Sequence, residues 1–273
     1  MVIFPNAKIN IGLSVIRKRP DGFHDIESIF YPVRLCDALE YLPASESGTD
    51  NHDTISYSGR PVVINKDICI KLIELLRESF SFPVLRLHLH KNIPAGAGLG
   101  GGSSDAAFLL NSLNGRFGFG LDQAQLRECA GRIGSDCPFF INNKSCLVTG
   151  RGEKLEDIQL SLEGLFLVLV CPGINVSTAE AYKEVTPTHQ SPALRELVQE
   201  NTYKWRDLII NQFEVPVFKK YPEIKKIEEK LYHLGAVYAS MTGSGSSVYG
   251  IFRSEPEIHS EFNECFVYRE QLC

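Results

Sequence analysis

An α+β protein of two domains is the fold class this sequence predicts, and three observations predict it. Val84-Leu85-Arg86-Leu87-His88-Leu89-His90 alternates apolar and polar residues, as a half-exposed antiparallel strand does, and it runs into a glycine-rich loop that opens an apolar helix. Leu165 to Cys171 is apolar throughout, as in a strand covered on both faces. From there the elements read strand, helices, strand, strand, helix, strand, which is the ferredoxin-like order with extra helices in its first crossover. At 273 residues the chain is long enough for two cores, and the expected domains are 1–158 and 159–273.

Taken in order, residues 4–16 place Ile9, Ile11, Leu13 and Val15 on one face and Lys8, Asn10, Gly12 and Ser14 on the other, a half-buried strand. Pro20 and Asp21-Gly22 signal a turn, and a strand returns from Phe23 to about Leu35, with His24, Ile26, Ser28 and Phe30 sharing a face. Residues 44–62 are polar and punctuated by Gly and Pro, and read as a surface hairpin with a short strand at Thr54 to Tyr57. Ile68, Leu72, Leu75 and Leu76 give 67–80 a helical spacing. After the alternating strand and the glycine loop, a helix runs to about Asn114. Asp122 and Gln125 form a capping box for another, which Gly134 stops. Asp136 precedes a short helix with Pro138 in its first turn, a position where a capping role and a catalytic role both stand open.

Strands at 145–149 and 155–158, joined across Gly150-Arg151-Gly152, complete the first domain. In the second, Pro172-Gly173 ends the apolar strand and Ser177 with Glu180 makes a capping box for the helix that carries Tyr182. Helices follow near 191–200, 203–214 and 222–234, the last with Pro222 at its start and Gly235 at its end. Strands near 236–241 and 247–252 flank the loop Thr242-Gly243-Ser244-Gly245-Ser246. A helix from about Glu255 and a strand near Val267 close the order.

Composition excludes several classes of function. With 44% hydrophobic residues, 22% charged and a formal net charge of -5, the chain offers no basic field for nucleic acid and no attraction to a membrane surface. Its longest apolar run falls far short of a membrane span, and no signal-peptide pattern opens it, so the expected location is cytoplasmic. The eight cysteines form no Cys-x-x-Cys pair and read as reduced thiols. His88 and His90 lack a third ligand, so no metal site is expected.

Five glycines in the seven positions 96–102 leave no side chain to hold a ligand off the backbone. At the helix start that follows, unpaired N–H groups and the positive end of the helix dipole converge, so the stretch reads as an anion site more readily than as a linker. No lysine follows Gly102, which excludes a P-loop. Gly96-x-Gly98-x-x-Gly101 can be written as a dinucleotide fingerprint, but the preceding strand alternates and Asp122 sits at a helix start. Protein-kinase His-Arg-Asp and Asp-Phe-Gly motifs are absent.

The stretch PAGAGLGGGSSDAA, residues 94–107, resembles the phosphate loop of the galactokinase, homoserine kinase, mevalonate kinase and phosphomevalonate kinase (GHMP) superfamily. The Lys8 strand and the C-terminal loop Thr242, Gly243, Ser244, Gly245 fit the same superfamily. Within it, Phe4-Pro5-Asn6-Ala7-Lys8-Ile9-Asn10-Ile11, Arg19-Pro20-Asp21-Gly22-Phe23-His24, Gly134-Ser135-Asp136-Cys137-Pro138-Phe139-Phe140 and Pro172-Gly173 are similar to the 4-diphosphocytidyl-2-C-methyl-D-erythritol kinase family, over the whole chain. The resemblance implies a ribosomal-protein-S5-domain-2-like domain over 1–158, carrying the nucleotide loop and catalytic residues, and a ferredoxin-like domain over 159–273.

It also implies ATP-dependent phosphorylation of the 2-hydroxyl of a cytidine diphosphate conjugate of methylerythritol, a step of the non-mevalonate isoprenoid pathway. Pro94, Gly96, Gly98, Leu99, Gly100, Gly101, Gly102, Ser103 and Ser104 would hold the phosphates of ATP with Mg2+ bridging them. Asp136 would take the hydroxyl proton, and Lys8, otherwise readable as a surface charge, would keep that carboxylate ionised and offset phosphoryl charge. His24 would read the edge of cytosine, with Phe23 and Tyr182 stacked on its two faces, and Asn10, Phe30 and Thr178 would contact the erythritol and phosphate side. Core packing is the other reading of Phe23, Phe30 and Tyr182. At Asp67 the chain departs from the family, which usually has asparagine there near the adenine. A kinase of another small alcohol, a decarboxylase that phosphorylates first, a non-catalytic sensor and a dinucleotide-binding oxidoreductase are the competing readings. The expected partners are the two small-molecule substrates alone, with the chain a monomer or weak homodimer.

Overall fold

A computed structural model of the chain describes residues 1–44, 52–61, 67–188, 193–258 and 260–273. In chain order the elements are β1 (Val2–Ile3), β2 (Asn6–Lys18), β3 (His24–Cys36), β4 (Ala38–Pro43), β5 (Thr54–Gly59), α1 (Ile68–Arg77), β6 (Leu85–Lys91), α2 (Gly101–Phe117), α3 (Gln123–Ile133) and α4 (Cys137–Asn142). They continue with β7 (Cys146–Gly150), β8 (Lys154–Asp157), β9 (Phe166–Cys171), α5 (Thr178–Glu184), α6 (Leu194–Leu197), α7 (Thr202–Leu208), α8 (Glu214–Lys220), α9 (Pro222–His233), β10 (Tyr238–Met241), β11 (Val248–Phe252) and β12 (Phe266–Gln271). The chain forms two compact units that interleave along the sequence. One contains 1–7, 34–95 and 100–143, the other 8–33, 96–99 and 144–273.

The first unit is built on the sheet β1-β4-β6-β5 with α1 to α4. As its alternation predicts, β6 buries Leu85, Leu87 and Leu89 and leaves Arg86, His88 and His90 exposed. The predicted capping box of α3 is present, Asp122 accepting from Gln125 N and Gln125 from Asp122 N. The hairpin expected over 44–62 is not what β5 makes. Its tip at 45–51 lies outside the described residues, and β5 pairs in parallel with β6, because α1 between them carries the chain back to the same end of the sheet.

The second unit holds the sheets β2-β3-β7-β8 and β10-β11-β9-β12 with α5 to α9. The order β10-β11-β9-β12, antiparallel throughout, is the ferredoxin-like order, and the apolar β9 sits inside it between β11 and β12. Leu13, Val15, Val168, Phe213, Ile224 and Met241 belong to one core shared by strands of both sheets and the helices. Three expectations fail here, each through a tertiary contact. No helix follows Glu255 among the described residues. Phe262 is buried in the core of the second unit, with Ile258 and Cys265 packed against that core, and a turn closed by Cys265 N to Phe262 O at 2.9 Å sets it there. Helix 203–214 ends at Leu208, since Leu13 N donates to Ile210 O and Gln212 N to Leu13 O, laying 209–212 beside β2; α8 then starts at Glu214. The Ser177 capping box is half made: Ser177 caps Glu180 N, but the Glu180 carboxylate pairs with Lys220 at 2.6 Å. The expected start of a helix at 191–192 lies outside the described residues.

A further correction concerns β2, which is buried on both faces from Asn6 to Val15 rather than half-buried. Lys8, Asn10 and Ser14 are 3%, 1% and 0% exposed, so Lys8 is not a solvated surface charge.

Beneath β10, Glu214 accepts from Ser240 Oγ at 2.7 Å and Met241 N at 2.8 Å. Burial pushes its carboxyl up to about 7, and burial with the nearby Glu214 charge pushes Glu228 up to about 8. Both values exceed the ordinary carboxylate value expected of the unfolded chain. The folded state therefore holds extra protons between the two, and stability is full at low pH and falls as pH rises through 7 to 8. Urea unfolding should show a loss on the order of 1–3 kcal/mol between about pH 5 and 8.5, and Glu228→Gln should flatten that slope; a pH-independent midpoint in the unaltered chain would contradict it.

Candidate active site

The double burial of β2 follows from a hydrogen-bonded network within the second unit. Asn10 N donates to Thr242 Oγ1 at 3.0 Å, and the Thr242 hydroxyl in turn faces Gly98 O at 3.1 Å and Asn10 Oδ1 at 3.2 Å. Asn10 Nδ2 donates to Ser28 Oγ at 2.9 Å, and Tyr249 OH donates to the Asn10 carbonyl at 2.8 Å. Lys8 Nζ donates to Asn10 Oδ1 at 2.5 Å and lies 4.4 Å from the centre of the Phe30 ring, while Lys8 N donates to Leu99 O at 3.0 Å. Of the residues singled out in the sequence, Lys8 and Thr242 thus bond the backbone of Leu99 and Gly98, while Asn10 and Phe30 hold the Lys8 ammonium. A buried ammonium survives here because an amide oxygen and an aromatic face replace part of its hydration.

The approach of the two loops leaves no room for a side chain. Gly98 has φ +79°, and a Cβ there would sit 2.1 Å from Thr242 O. Ser244 Oγ lies 2.8 Å from Thr178 Oγ1, joining the C-terminal glycine loop to the start of α5.

At the β2–β3 hairpin, Gly22 N donates to Arg19 O at 3.1 Å, Arg19 N to Phe23 O at 2.8 Å and Phe23 N to Asp21 Oδ1 at 3.1 Å, which sets Phe23 and His24 at the tip. Arg17 and Arg19 flank Asp25 at 2.5 and 2.9 Å and hold its carboxyl below the ordinary value. Phe23 is 53% exposed, so the core-packing reading does not apply to it, and the Arg151 guanidinium lies 5.1 Å from its ring. The His24 and Tyr182 rings stack on each other at 4.7 Å with 17° between their planes, and Phe213 meets Tyr182 edge-on.

The start of α2 and Asp136 lie in the first unit. Gly100, in the left-handed region at φ +71°, stands at the N-cap of α2, and among the described residues no side-chain cap bonds the first amides of this 17-residue helix. That vacancy fits the phosphates of a nucleotide, which need N–H donors and open approach, and above Gly102 the nearest group a Cβ would meet is Ile68 Cγ2 at 3.8 Å. Asp136 occupies the N-cap position of α4 with φ -85° and ψ -14°, and its side chain makes no capping hydrogen bond. The capping alternative for it is thereby removed. Asp67 does cap, accepting from Cys69 N and Ile70 N, and also accepts from Tyr57 OH at 2.8 Å.

Sequence reasoning missed Asn211, Ser28 and Tyr249. Asn211 Nδ2 donates to Met241 O and Gly243 O, both at 2.8 Å, and so shapes the Thr242 loop from below. The available signal was a polar Asn-Gln pair splitting the apolar run Leu208 to Phe213, which suits a helix interior poorly.

Comparison with known proteins finds the GHMP kinases N terminal domain over residues 67–144 and the GHMP kinases C terminal domain over 189–267. The 4-diphosphocytidyl-2-C-methyl-D-erythritol kinase of Parabacteroides distasonis is 43% identical over 276 residues, all of both chains. The chain belongs to the 4-diphosphocytidyl-2-C-methyl-D-erythritol kinase family. The kinase of that name from Cytophaga hutchinsonii is 44% identical over 96% of each chain. A crystal structure of 4-(cytidine 5'-diphospho)-2C-methyl-D-erythritol kinase superimposes with a TM-score of 0.77 at 30% identity, covering 92% of this chain and 90% of that one. The Methanococcus jannaschii mevalonate kinase shares the fold at a TM-score of 0.69 and 13% identity. The fold is thus that of the GHMP kinases, and this family member is a small-molecule kinase that uses ATP.

Replacing Gly98 tests the loop contact directly. Gly98→Ala in the kinase should cost roughly 1–3 kcal/mol of stability or of ATP binding through its positive φ and the Thr242 clash; thermal unfolding with and without ATP reads both, and an unchanged variant would show that the loops have room to part.

Proposed function

We propose that this kinase transfers the γ-phosphoryl group of ATP to the 2-hydroxyl of 4-diphosphocytidyl-2-C-methyl-D-erythritol, giving the 2-phosphate and ADP in the non-mevalonate isoprenoid pathway. The observation that carries the reading is identity of 41–44% over nearly the whole chain to several kinases named for that substrate. The family's two domains divide in this reading between residues 158 and 159, with one matched family model on each side. A cytoplasmic monomer or weak homodimer is part of the same proposal, and light scattering on the purified protein checks the oligomeric state.

The assigned roles follow the chemistry of phosphoryl transfer, which asks for charge neutralisation, in-line placement and a proton acceptor. Backbone N–H groups of 96–104 would hold the phosphates of ATP, and Mg2+, when bound there, would supply further charge neutralisation. Asp136, which has no capping duty, accepts the hydroxyl proton. Lys8, held by Asn10 Oδ1 against Phe30, offsets the charge of the moving phosphoryl group. Asn10, Phe30 and Thr178 take the erythritol and phosphate side, and Phe23, His24 and Tyr182 take cytosine. Because His24 lies against Tyr182, seating a base on the tyrosine exchanges one stack for another.

A coupled ADP-release assay with ATP and Mg2+ tests the reaction. Turnover is expected with the cytidylyl substrate and not with homoserine, mevalonate or galactose; turnover with one of those instead would discard the cytosine pocket. Asp136→Asn should lower kcat by about 100- to 10,000-fold with ATP affinity intact, and a loss under about tenfold would remove its role as base. Tyr182→Ala should weaken cytidylyl substrate binding by about 1–3 kcal/mol, read by calorimetry, and unchanged affinity would return Tyr182 to the core.

A further inference from the structure

Lys91, the last residue of β6, is buried, an uncommon place for an ammonium group. Its Nζ donates to Asp37, between β3 and β4, and to Asp105 Oδ2 at 2.8 Å near the start of α2. Asp37 Oδ1 accepts from the backbone N–H groups of Asn92 at 2.6 Å and Ile93 at 2.8 Å. All three side chains are 5% exposed or less, and a Cβ added to Gly101 would come 3.4 Å from the ammonium nitrogen. Two carboxylates against one ammonium would leave a buried negative charge, yet burial, opposed by Lys91 and helped by Asp37, pushes Asp105 up to about 8. A proton held on Asp105 near neutral pH relieves that charge, and Asp105 Oδ1 has no hydrogen-bond partner among the described residues.

The placement matters more than the charge. The cluster grips residues 91–93, where the chain enters the glycine loop, and Asp105, just after the chain leaves it. Between the grips lie residues 94–104, whose five glycines lose more conformational freedom on ordering than other residues would. We propose that Lys91, with Asp37 and Asp105, is a positioning cluster that pins both ends of the glycine loop and thereby sets its affinity for the phosphates of ATP. The inference rests on the reading of that loop as the phosphate site. None of the three residues is assigned contact with substrate; they act through the loop.

The test compares Asp105→Ala, which removes the acceptor while leaving Lys91 and Asp37 as a balanced pair, with Asp105→Asn, which keeps an oxygen for Lys91. The measurements are calorimetric binding of ATP and steady-state kinetics. Asp105→Ala should raise Kd and KM for ATP by about tenfold or more, with kcat at saturating ATP and KM for the cytidylyl substrate within about threefold, and Asp105→Asn should restore ATP affinity to within about threefold of the unaltered enzyme. A merely structural ion cluster would not split KM from kcat in this way. ATP affinity within about twofold in Asp105→Ala, or equal impairment in both variants, would overturn the proposal. Failure of the unaltered enzyme to bind ATP would instead overturn the phosphate-loop reading itself. Should Asp105→Ala fail to fold, Asp105→Leu, similar in size and without an oxygen, carries the same expectations and the same overturning results.

Discussion

Two segments 144 residues apart meet backbone to backbone where the Thr242 hydroxyl faces Gly98 O, and much of the second unit is arranged so that this contact can exist. The Thr242 carbonyl leaves no space for even a methyl group on Gly98. Such an approach buries polar groups from both segments, and each needs a partner, because an unpaired buried donor or acceptor costs more than a made bond returns. Asn10, Thr242, Asn211 and Tyr249 provide those partners.

The same requirement explains why a strand with alternating polar residues is buried on both faces. Its apolar side enters the core with Phe213 and Val168, and its polar side is bonded to Thr242, Ser28 and Tyr249. Asn10 is the hub, bonded through its amide to Lys8 and Ser28 and through its backbone to Thr242 and Tyr249. A lysine in this setting is oriented before any substrate arrives, and orientation made in advance is what a transferring group of high charge needs.

In the first unit the chain enters and leaves the glycine-rich stretch through residues tied by buried hydrogen bonds. Gly100 begins α2 without a capping side chain, while Lys91 bonds Asp105 on one side of the loop and Asp37 accepts from Ile93 N on the other. Asp136 shows the same economy, standing at a helix N-cap position without capping it. In both places the helix start lacks the side-chain cap that ordinarily stabilises it.

What the sequence by itself determined was whatever depends on near neighbours: the alternation of β6, the capping box of α3, the glycine loop before α2, the turn that presents Phe23 and His24, and the succession of strands along the second half of the chain. These features are set by residue type and spacing over a few positions, and the motifs that name the family are of this kind. Tertiary structure alone decided the rest. It put β5 parallel to β6 across α1, drew 209–212 out of a helix to lie along β2, left the segment after Glu255 as a turn, and buried Lys8 beside Asn10. Each of those outcomes turns on a partner far away in the chain, and a pattern read over ten residues carries no information about what will cover its polar face.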